Sequence, residues 1–201
     1  MAVDLDLLKH PPIQRIVRAL RERRPAQLTL EEPLRRAAVA LVLRGRGESE
    51  LELLMIKRAD FEGDPWSGHV ALPGGRQEPG DASLKDTAIR ETWEETGIDL
   101  ARDGCVIGQL DDLQPRTPRL PRLAITPFVA VLRCDVPLIL SPEVAEAFWV
   151  PLSALQDPNA SREIVLELTG GPRTVPSFQH EGYTIWGLTE RILRQFLALL
   201  A

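Results

Sequence analysis

Cysteine, histidine and tyrosine are scarce in this 201-residue chain, which has only two cysteines, three histidines and one tyrosine. Cys105 and Cys134 lie far apart without a CxxC spacing, which excludes a disulfide framework or a zinc site as the organising principle. No segment reaches the roughly 20 apolar residues of a membrane span. The first residues lack a basic segment followed by an apolar core, so no secretory signal is indicated. We therefore expect a cytoplasmic protein with reduced cysteines.

An excess of positive charge is also missing. The formal net charge of −5 argues against nucleic acid or an anionic membrane as a partner. Hydrophobic residues make up 44% of the chain and charged residues 26%, which is typical of a soluble globular protein. The length suits one ordinary domain, and it leaves the oligomeric state open, with a homodimer as one option.

The N-terminal part of the chain predicts a short amphipathic helix between Pro12 and Pro25. Ile13, Ile16 and Leu20 recur at helical spacing, with arginines at most other positions. We interpret the arginines as a solvated face; contact with a membrane or a transit receptor is the alternative. Residues 1–35 are accordingly predicted as a helical extension packed on a domain that spans residues 36–201.

The rest of the chain predicts strands and helices without a βαβ rhythm, and hence one α/β domain with a mixed sheet between helices. Residues 61–82, rich in Gly, Pro and Asp, predict a loop apart from a short strand at 70–72. The predicted strands are 36–43, 51–56, 106–110, 125–132, 147–150 and 164–168, and the predicted helices are 83–96 and 189–200.

The helix at 83–96 carries an unusual acidic cluster. Ser83 and Asp86 form a capping-box pattern at its start, and Gly97 follows its end. Glu91, Glu94 and Glu95 fall within about 100° on one helix face, where like charges repel. A solvated acidic face is the ordinary interpretation of such a cluster. Divalent cations such as Mg²⁺ or Mn²⁺, which prefer carboxylate oxygens, would instead turn the repulsion into binding.

The charge balance places most of the acidity in this region. Residues 75–100 hold seven acidic and three basic side chains, which leaves −4 of the chain's total of −5. The glycine pair Gly74-Gly75 directly precedes it, and glycines let a backbone approach a ligand closely. An acidic helix behind a glycine turn favours an unfilled cation site.

Together, the glycine turn and the acidic helix resemble the signature of the Nudix hydrolase family. The matching positions are Gly75, the pair Arg90-Glu91, the pair Glu94-Glu95, and Gly97-Ile98. The chain departs from the signature in three ways: Asp81 replaces its first Glu, one additional residue precedes Arg90, and Thr92 replaces an apolar residue. The resemblance covers roughly residues 36–200. It implies an α/β (α+β) fold, a Nudix-like α/β/α sandwich with a mixed sheet and a catalytic loop-helix-loop.

Within the family, the chain is most similar to the branch that includes coenzyme A pyrophosphatases. The similar segments are 53–58, 68–75, 81–84, 143–152 and 185–189. That branch carries a Leu-Arg-x-His-x-Gly sequence before the glycine turn, whereas residues 63–68 read Gly-Asp-Pro-Trp-Ser-Gly, with His69 after the glycine. A housecleaning or sugar-nucleotide pyrophosphatase is therefore the alternative enzyme. The alternative outside the enzymes is a ligand-sensing module that has kept the fold and lost catalysis.

The resemblance also implies the roles of individual residues in hydrolysis of a small-molecule diphosphate with Mg²⁺ or Mn²⁺. Glu91 and Glu95 are the expected metal ligands, with Glu94 and the Gly75 carbonyl completing the site. Arg90 is expected to hold a carboxylate of the signature by bidentate hydrogen bonds. The general base stays open between Glu91 and Glu94 within the cluster and two downstream carboxylates, Glu143 and Glu146.

Cationic side chains predict where the substrate's phosphates bind. Arg116, Arg119 and Arg122 lie in a proline-rich stretch free of acidic residues, and Arg58 follows a strand and precedes the glycine turn. Gly74 is included because it flanks the same turn. The alternative for these arginines is that they form solvated surface. Trp66 is a candidate for stacking on a nucleotide base, and the alternative for it is ordinary packing.

Overall fold

Two long apolar strands form the centre of the fold. The computed structural model describes residues 10–28, 35–47, 49–62, 66–115, 123–168 and 171–200. Strand β1 (Arg35–Arg46) pairs in parallel with β6 (Leu123–Leu132); β6 is almost fully buried, and β1 is buried over most of its central part. Parallel strands are covered on both faces, which explains why these segments are continuously apolar rather than alternating.

The remaining elements surround this pair. The helices are α1 (Pro11–Glu22), α2 (Leu84–Thr96), α3 (Leu152–Gln156) and α4 (Gly187–Leu197). The other strands are β2 (Glu50–Arg58), β3 (Val70–Ala71), β4 (Gly74–Arg76), β5 (Gly104–Gln109), β7 (Val144–Pro151), β8 (Ser161–Leu168), β9 (Gly171–His180) and β10 (Tyr183–Trp186).

The main sheet has seven of the described strands, in the order β3-β2-β1-β6-β5, with β7 paired to β2 and β4 paired to β1. Strand β1 has two partners along one edge: β2 pairs with Leu43–Arg46, and β4 pairs with residues 37–39. Because β4 replaces β2 as the partner of β1 along this edge, the glycine turn lies against the sheet. Strands β8, β9 and β10 form a second, antiparallel sheet of three strands.

The two faces of the main sheet pack against different helices. Leu41 and Leu43 lie in a core shared with α1 and α4, whereas Ala40 and Val42 lie in a second core with α2. The structure is thus a layer of helices on each side of a mixed sheet, and the predicted fold class is confirmed. None of the described helices is long and apolar enough to cross a membrane.

Helix α1 forms where the periodicity predicts it. Ile13 and Ile16 are fully buried, and Leu20 packs against Gly108 of β5, where a Cβ would lie 3.0 Å from the leucine side chain. Arg15 and Arg18 are exposed on the opposite face, and its interpretation as a solvated face stays a prediction. The division into an extension and a domain stays a prediction.

Several elements differ from the sequence prediction. The stretch at 61–82 holds β4 as well as the predicted short strand, because the glycine turn pairs with β1. Helix α3 and strands β9 and β10 were not predicted. Helix α4 begins at Gly187 and ends at Leu197 rather than spanning 189–200.

Candidate active site

Helix α2 is held at both ends. The Ser83 hydroxyl accepts from the Asp86 amide at 3.3 Å, as the capping-box pattern predicts. Gly97 ends the helix in the left-handed region with φ +75°, and its N–H donates to the Trp93 carbonyl at 2.8 Å. A Cβ on Gly97 would lie 2.9 Å from that of Ile139, so the chain packs tightly here.

The last turn of α2 also binds the segment that precedes β7. The carbonyls of Thr96 and Glu95 accept from the amides of Ile139 (2.9 Å) and Ser141 (3.2 Å). These bonds satisfy carbonyls that a helix end leaves without intrahelical partners. They also bring Glu143, two residues further on, to the side of the acidic cluster.

Thr92 occupies a position where the family signature has an apolar residue, and its polar atom is satisfied inside the helix. The side chain is fully buried, and its hydroxyl donates to the Ala88 carbonyl at 2.7 Å. Because the hydroxyl has an acceptor in its own helix, its burial leaves no unsatisfied group. This departure from the signature therefore leaves the helix geometry intact.

The two glycines of β4 lie in places that exclude side chains. Gly74 has φ +152°, and a Cβ there would overlap the backbone of β1 at Ala38 and Val39. A Cβ on Gly75 would overlap the Glu91 carboxylate. The Gly74 amide donates to Glu95 Oε2 at 2.8 Å. The glycine turn and the acidic helix are thus in direct contact.

Arg90 connects the loop to the helix through all five of its N–H groups. Nε and one Nη donate to the two carboxylate oxygens of Asp81, both at 2.9 Å. The same Nη donates to the Arg76 carbonyl at 3.0 Å, and the other Nη donates to Glu91 (3.0 Å) and Glu94 (2.9 Å). The bidentate geometry expected of Arg90 is present, with Asp81 as the partner.

Asp81 is the anchor of this network. Its side chain is 5% exposed, and it also accepts from the Glu78 amide and the Thr87 hydroxyl, each at 2.9 Å. Hydrogen bonds from the Arg90 guanidinium hold the pKa of Asp81 well below its usual range. The Asp that replaces the signature's first Glu therefore fixes the loop onto the helix through Arg90.

These elements enclose a cleft of about 680 Å³. Five carboxylates line it, those of Glu78, Glu91, Glu94, Glu95 and Glu143, together with the cationic Arg58, Arg76 and Arg90. The cleft is the cavity where the two sequence motifs meet.

Burial and mutual repulsion disfavour the charged form of the carboxylates in the cleft. Burial raises the pKa of Glu95 to about 8; the Gly74 amide and Arg58 oppose this, and the charges of Glu91 and Glu143 add to it. Burial likewise raises the pKa of Glu91, although Arg90 opposes the rise. Because a charged carboxylate is disfavoured here, a cation in the cleft would be stabilised.

The donor set fits a hard divalent cation in chemistry. Within the described ranges, no three acidic, histidine or cysteine side chains stand at metal-holding spacing. Glu91 and Glu94 each accept a hydrogen bond from Arg90 with one oxygen. The second oxygen of each, and Oε1 of Glu95, accepts no hydrogen bond from the described residues. Carboxylate oxygens are the ligands that Mg²⁺ and Mn²⁺ prefer, and these three oxygens are left for such a cation.

The structure separates the two downstream carboxylates. Glu143 lines the cleft, and its backbone carbonyl accepts from the Ala59 amide at 2.8 Å. Glu146 is not among the described residues that line it. It lies on β7, where it accepts from Lys57 Nζ at 2.9 Å and from the Tyr183 hydroxyl at 2.6 Å. Its position gives no support to a role as base or ligand.

The arginines predicted to bind phosphates divide in the same way. Arg58, the last residue of β2, lines the cleft. Arg116, Arg119 and Arg122 lie outside the described residues. The structure therefore brings Arg58 to the acidic cluster and leaves the arginine-rich stretch as a prediction.

Sequence reasoning missed five other residues of the cleft wall: Phe61, Arg76, Glu78, Ser141 and Pro142. Arg76 and Glu78 follow the glycine pair within three residues, and their place in the sequence was a signal for them. Phe61 and Ser141 reach the cleft only through the tertiary fold, so no local pattern indicates them.

The comparisons with known proteins decide the family. A model of the NUDIX domain matches residues 33–168. The chain belongs to the Nudix family. An uncharacterised Nudix hydrolase, NudL of Yersinia pestis, is 34% identical to this Nudix chain, over 80% of the chain and 77% of the relative. An uncharacterised protein of Schizosaccharomyces pombe is 32% identical over 76% of the chain, which spans only about half (52%) of that relative's length.

Solved structures show the same fold. A MutT/nudix family protein from Enterococcus faecalis superposes with a TM-score of 0.54 at 21% identity, over 94% of this chain and 69% of that one. A C. elegans Ap4A hydrolase in a binary complex gives a TM-score of 0.54 at 21% identity, over 83% and 97%. Family and relatives together make this Nudix chain a pyrophosphohydrolase, and Nudix hydrolases generally use divalent metal ions. The relatives leave its substrate unspecified.

Proposed function

We propose that this Nudix enzyme hydrolyses the diphosphate bond of small molecules linked to a nucleoside diphosphate, with coenzyme A or a derivative as the first compound to test. One observation carries the proposal. Glu91, Glu95 and Glu143 meet at one cleft beside the glycine turn, with a cationic side chain, Arg58, on the same wall. Hydrolysis of a charged diphosphate requires carboxylates that bind a metal cation and, beside them, a positively charged side chain that binds phosphate.

Glu91 and Glu95 would hold a divalent cation, Mg²⁺ or Mn²⁺, with Glu94 and the Gly75 carbonyl completing the set. Such a cation, when bound, neutralises the charge of the diphosphate and lowers the pKa of a bound water. Arg90 keeps Glu91 and Glu94 in place through its bonds to Asp81 and the Arg76 carbonyl. Its part is positioning, since all five of its donors are occupied within the protein.

The reaction adds water to one phosphorus and breaks the bridging P–O bond, so that two phosphate compounds are released. A general base must take the proton of that water. Glu143 is the best placed of the candidates, because its carboxylate has no hydrogen bond or ion pair within the described ranges, whereas Glu91 and Glu94 both bind Arg90. We propose Glu143 as base, with Glu91 and Glu94 as the alternatives.

Arg58 is proposed to bind a substrate phosphate. It lies beside Glu95 at the end of β2, and its positive charge reaches that carboxylate. Arg76 is a second candidate, since the exposed side chain has no ion pair with any described residue. Gly74 lines the cleft, and its backbone is proposed to lie close to the phosphates. Arg116, Arg119 and Arg122 stay proposals from the sequence alone.

A panel of diphosphates tests the substrate class. The purified chain is incubated with Mg²⁺ or Mn²⁺ and coenzyme A, nucleotide sugars, dinucleotide polyphosphates or nucleoside triphosphates, and the products are separated by chromatography. Release of 3′,5′-phosphorylated adenosine from coenzyme A would support the first candidate. No turnover of any compound would overturn the proposed function.

The alternative substrates have a specific observation in their favour. Residues 63–69 lack the Leu-Arg-x-His-x-Gly order of the coenzyme A branch. A preference for nucleotide sugars or non-standard nucleotides in the same panel would favour a sugar-nucleotide or housecleaning pyrophosphatase. A cytoplasmic location and a homodimer stay predictions.

A further inference from the structure

Phe61 is the one aromatic side chain among the described residues that line the cleft. Its neighbours in the cleft wall are charged or small, and 51% of the phenylalanine is exposed. An exposed aromatic ring in an otherwise polar cleft loses the stabilisation that burial would provide. Its position is therefore explained better by a ligand than by packing.

The backbone around Phe61 is fixed rather than loose. The Ser67 hydroxyl accepts from the Phe61 amide at 3.0 Å and donates to the Phe61 carbonyl at 2.8 Å, which satisfies both backbone groups. Next to it, Asp60 packs on Gly68, whose φ is +70° and whose Cβ would lie 3.1 Å from Asp60 Oδ1. The turn at 67–68 thus holds the segment that carries the ring.

Two further bonds tie this segment to the walls of the cleft. The Arg58 amide donates to the His69 carbonyl at 3.0 Å, and the Ala59 amide donates to the Glu143 carbonyl at 2.8 Å. Phe61 therefore lies three residues after Arg58, the arginine proposed to bind a phosphate. Its segment is hydrogen-bonded to the backbone of Glu143, the proposed general base. A backbone segment held in place before binding loses little entropy when a ligand arrives.

We infer that Phe61 is the surface on which the base of a nucleotide substrate stacks. The inference rests on the proposed function for the position of the diphosphate. The cleft of about 680 Å³ lies within the roughly 300–1,000 Å³ of pockets that bury a whole small ligand, so it has room beyond the phosphates. With carboxylates for the cation and Arg58 for a phosphate, Phe61 provides the apolar face that the planar base needs. Trp66 is not among the described residues that line the cleft.

The test compares two ligands that share a non-hydrolysable P–C–P group: α,β-methylene-ADP, which has a base, and methylene bisphosphonate, which has none. Their dissociation constants are measured by calorimetry, with Mg²⁺ present, for the wild type and the Phe61→Leu and Phe61→Tyr variants. Leucine keeps apolar bulk but removes the aromatic face, and tyrosine keeps that face. Val165→Ala, which changes an exposed apolar residue of β8, is the matched control.

We expect Phe61→Leu to weaken α,β-methylene-ADP binding by about 5- to 100-fold, which corresponds to the range of one base–aromatic stack. Binding of the bisphosphonate should stay unchanged, and Phe61→Tyr should bind both ligands like the wild type. The inference is overturned if wild type binds both ligands equally, if it binds neither, or if Phe61→Leu weakens both to the same extent.

The binding measurement is independent of turnover, because neither ligand is hydrolysed. If the diphosphate panel shows no hydrolysis while Phe61→Leu still weakens only the ligand that has a base, the proposed function fails and this inference stands. If hydrolysis is found and Phe61→Leu has no effect on binding, the inference fails and the proposed function stands.

Discussion

At the residue scale, two Arg–Asp pairs of the same geometry differ in their surroundings. Arg90 binds Asp81 through two parallel hydrogen bonds, and Arg102 binds Asp103 in the same bidentate manner at 2.7–2.8 Å. The side chain of Arg90 is 21% exposed and that of Arg102 is 69% exposed. Solvent screens the exposed pair, so only the Arg90 pair is expected to affect stability strongly.

Asp81→Asn should therefore lower the free energy of unfolding by about 2 kcal/mol at pH 7, because a largely buried carboxylate with four donors is replaced by a neutral amide. Urea unfolding followed by fluorescence measures the change. Asp103→Asn is the matched control, and it should have a much smaller effect. Equal losses in the two variants would contradict the account.

The difference in unfolding free energy between wild type and Asp81→Asn should depend on pH, and its pH dependence follows from the direction in which the pKa of Asp81 is shifted. Because the folded-state pKa of Asp81 is lowered, its stabilisation is fully present above the unfolded pKa, near 4, and is lost as the pH falls through the lower folded value. The gap between wild type and Asp81→Asn should be constant from about pH 5 to 8 and should narrow below pH 4. A gap that widens towards acid pH would contradict the assignment.

At the element scale, the site is made by contact between β4 and α2. The sequence predicts α2 well, because Ser83 and Gly97 mark its ends and the acidic cluster marks its face. It does not predict β4, since a Gly-Gly-Arg strand has no apolar periodicity and forms only because β1 has an open edge beyond β2. The position of Glu143 could not be predicted from the sequence either, since it depends on hydrogen bonds between the segment at 139–141 and the end of α2.

The two glycines of β4 should respond differently to alanine. Gly75→Ala places a methyl group against the movable Glu91 carboxylate, so we expect kcat/KM to fall about 100-fold with a change in unfolding free energy below about 1 kcal/mol. Gly74→Ala meets the backbone of β1 at a φ that disfavours a side chain, so about 3 kcal/mol of stability should be lost. Kinetics and urea unfolding of both variants distinguish the effects, and a Gly75→Ala enzyme with the kcat/KM of the wild type would contradict the account.

At the scale of the whole molecule, most strands of the main sheet could be predicted, whereas in the small sheet only β8 could. The strands with apolar runs, such as β1 and β6, are buried on both faces and read directly from the sequence. Strand β9 lies between β8 and β10 yet contains Pro172 and Pro176, residues that normally argue against a central strand. Most of its side chains are also exposed or half-buried, so it has no continuous apolar run.

Helix α1 is packed on the same core as the main sheet, which bears on the proposed helical extension. Ile16 is fully buried in that core, so Ile16→Ala should lower the unfolding free energy by about 2–4 kcal/mol. Arg18→Ala, on the exposed face of the same helix, should change it by less than about 0.5 kcal/mol. A single unfolding transition that Ile16→Ala does not shift would show that the helix contributes nothing to the fold.

The central claim is that the cleft carboxylates support diphosphate hydrolysis with a divalent cation. The most direct measurement is kcat/KM for the best diphosphate of the panel, with Mg²⁺ or with EDTA, in wild type, Glu95→Gln and the exposed control Glu163→Gln. Glutamine keeps the acceptor for the Gly74 amide but removes the charge. We expect EDTA to abolish turnover, Glu95→Gln to lose about 1,000-fold and Glu163→Gln to match wild type. Full activity of Glu95→Gln, or turnover that survives EDTA, would contradict the account.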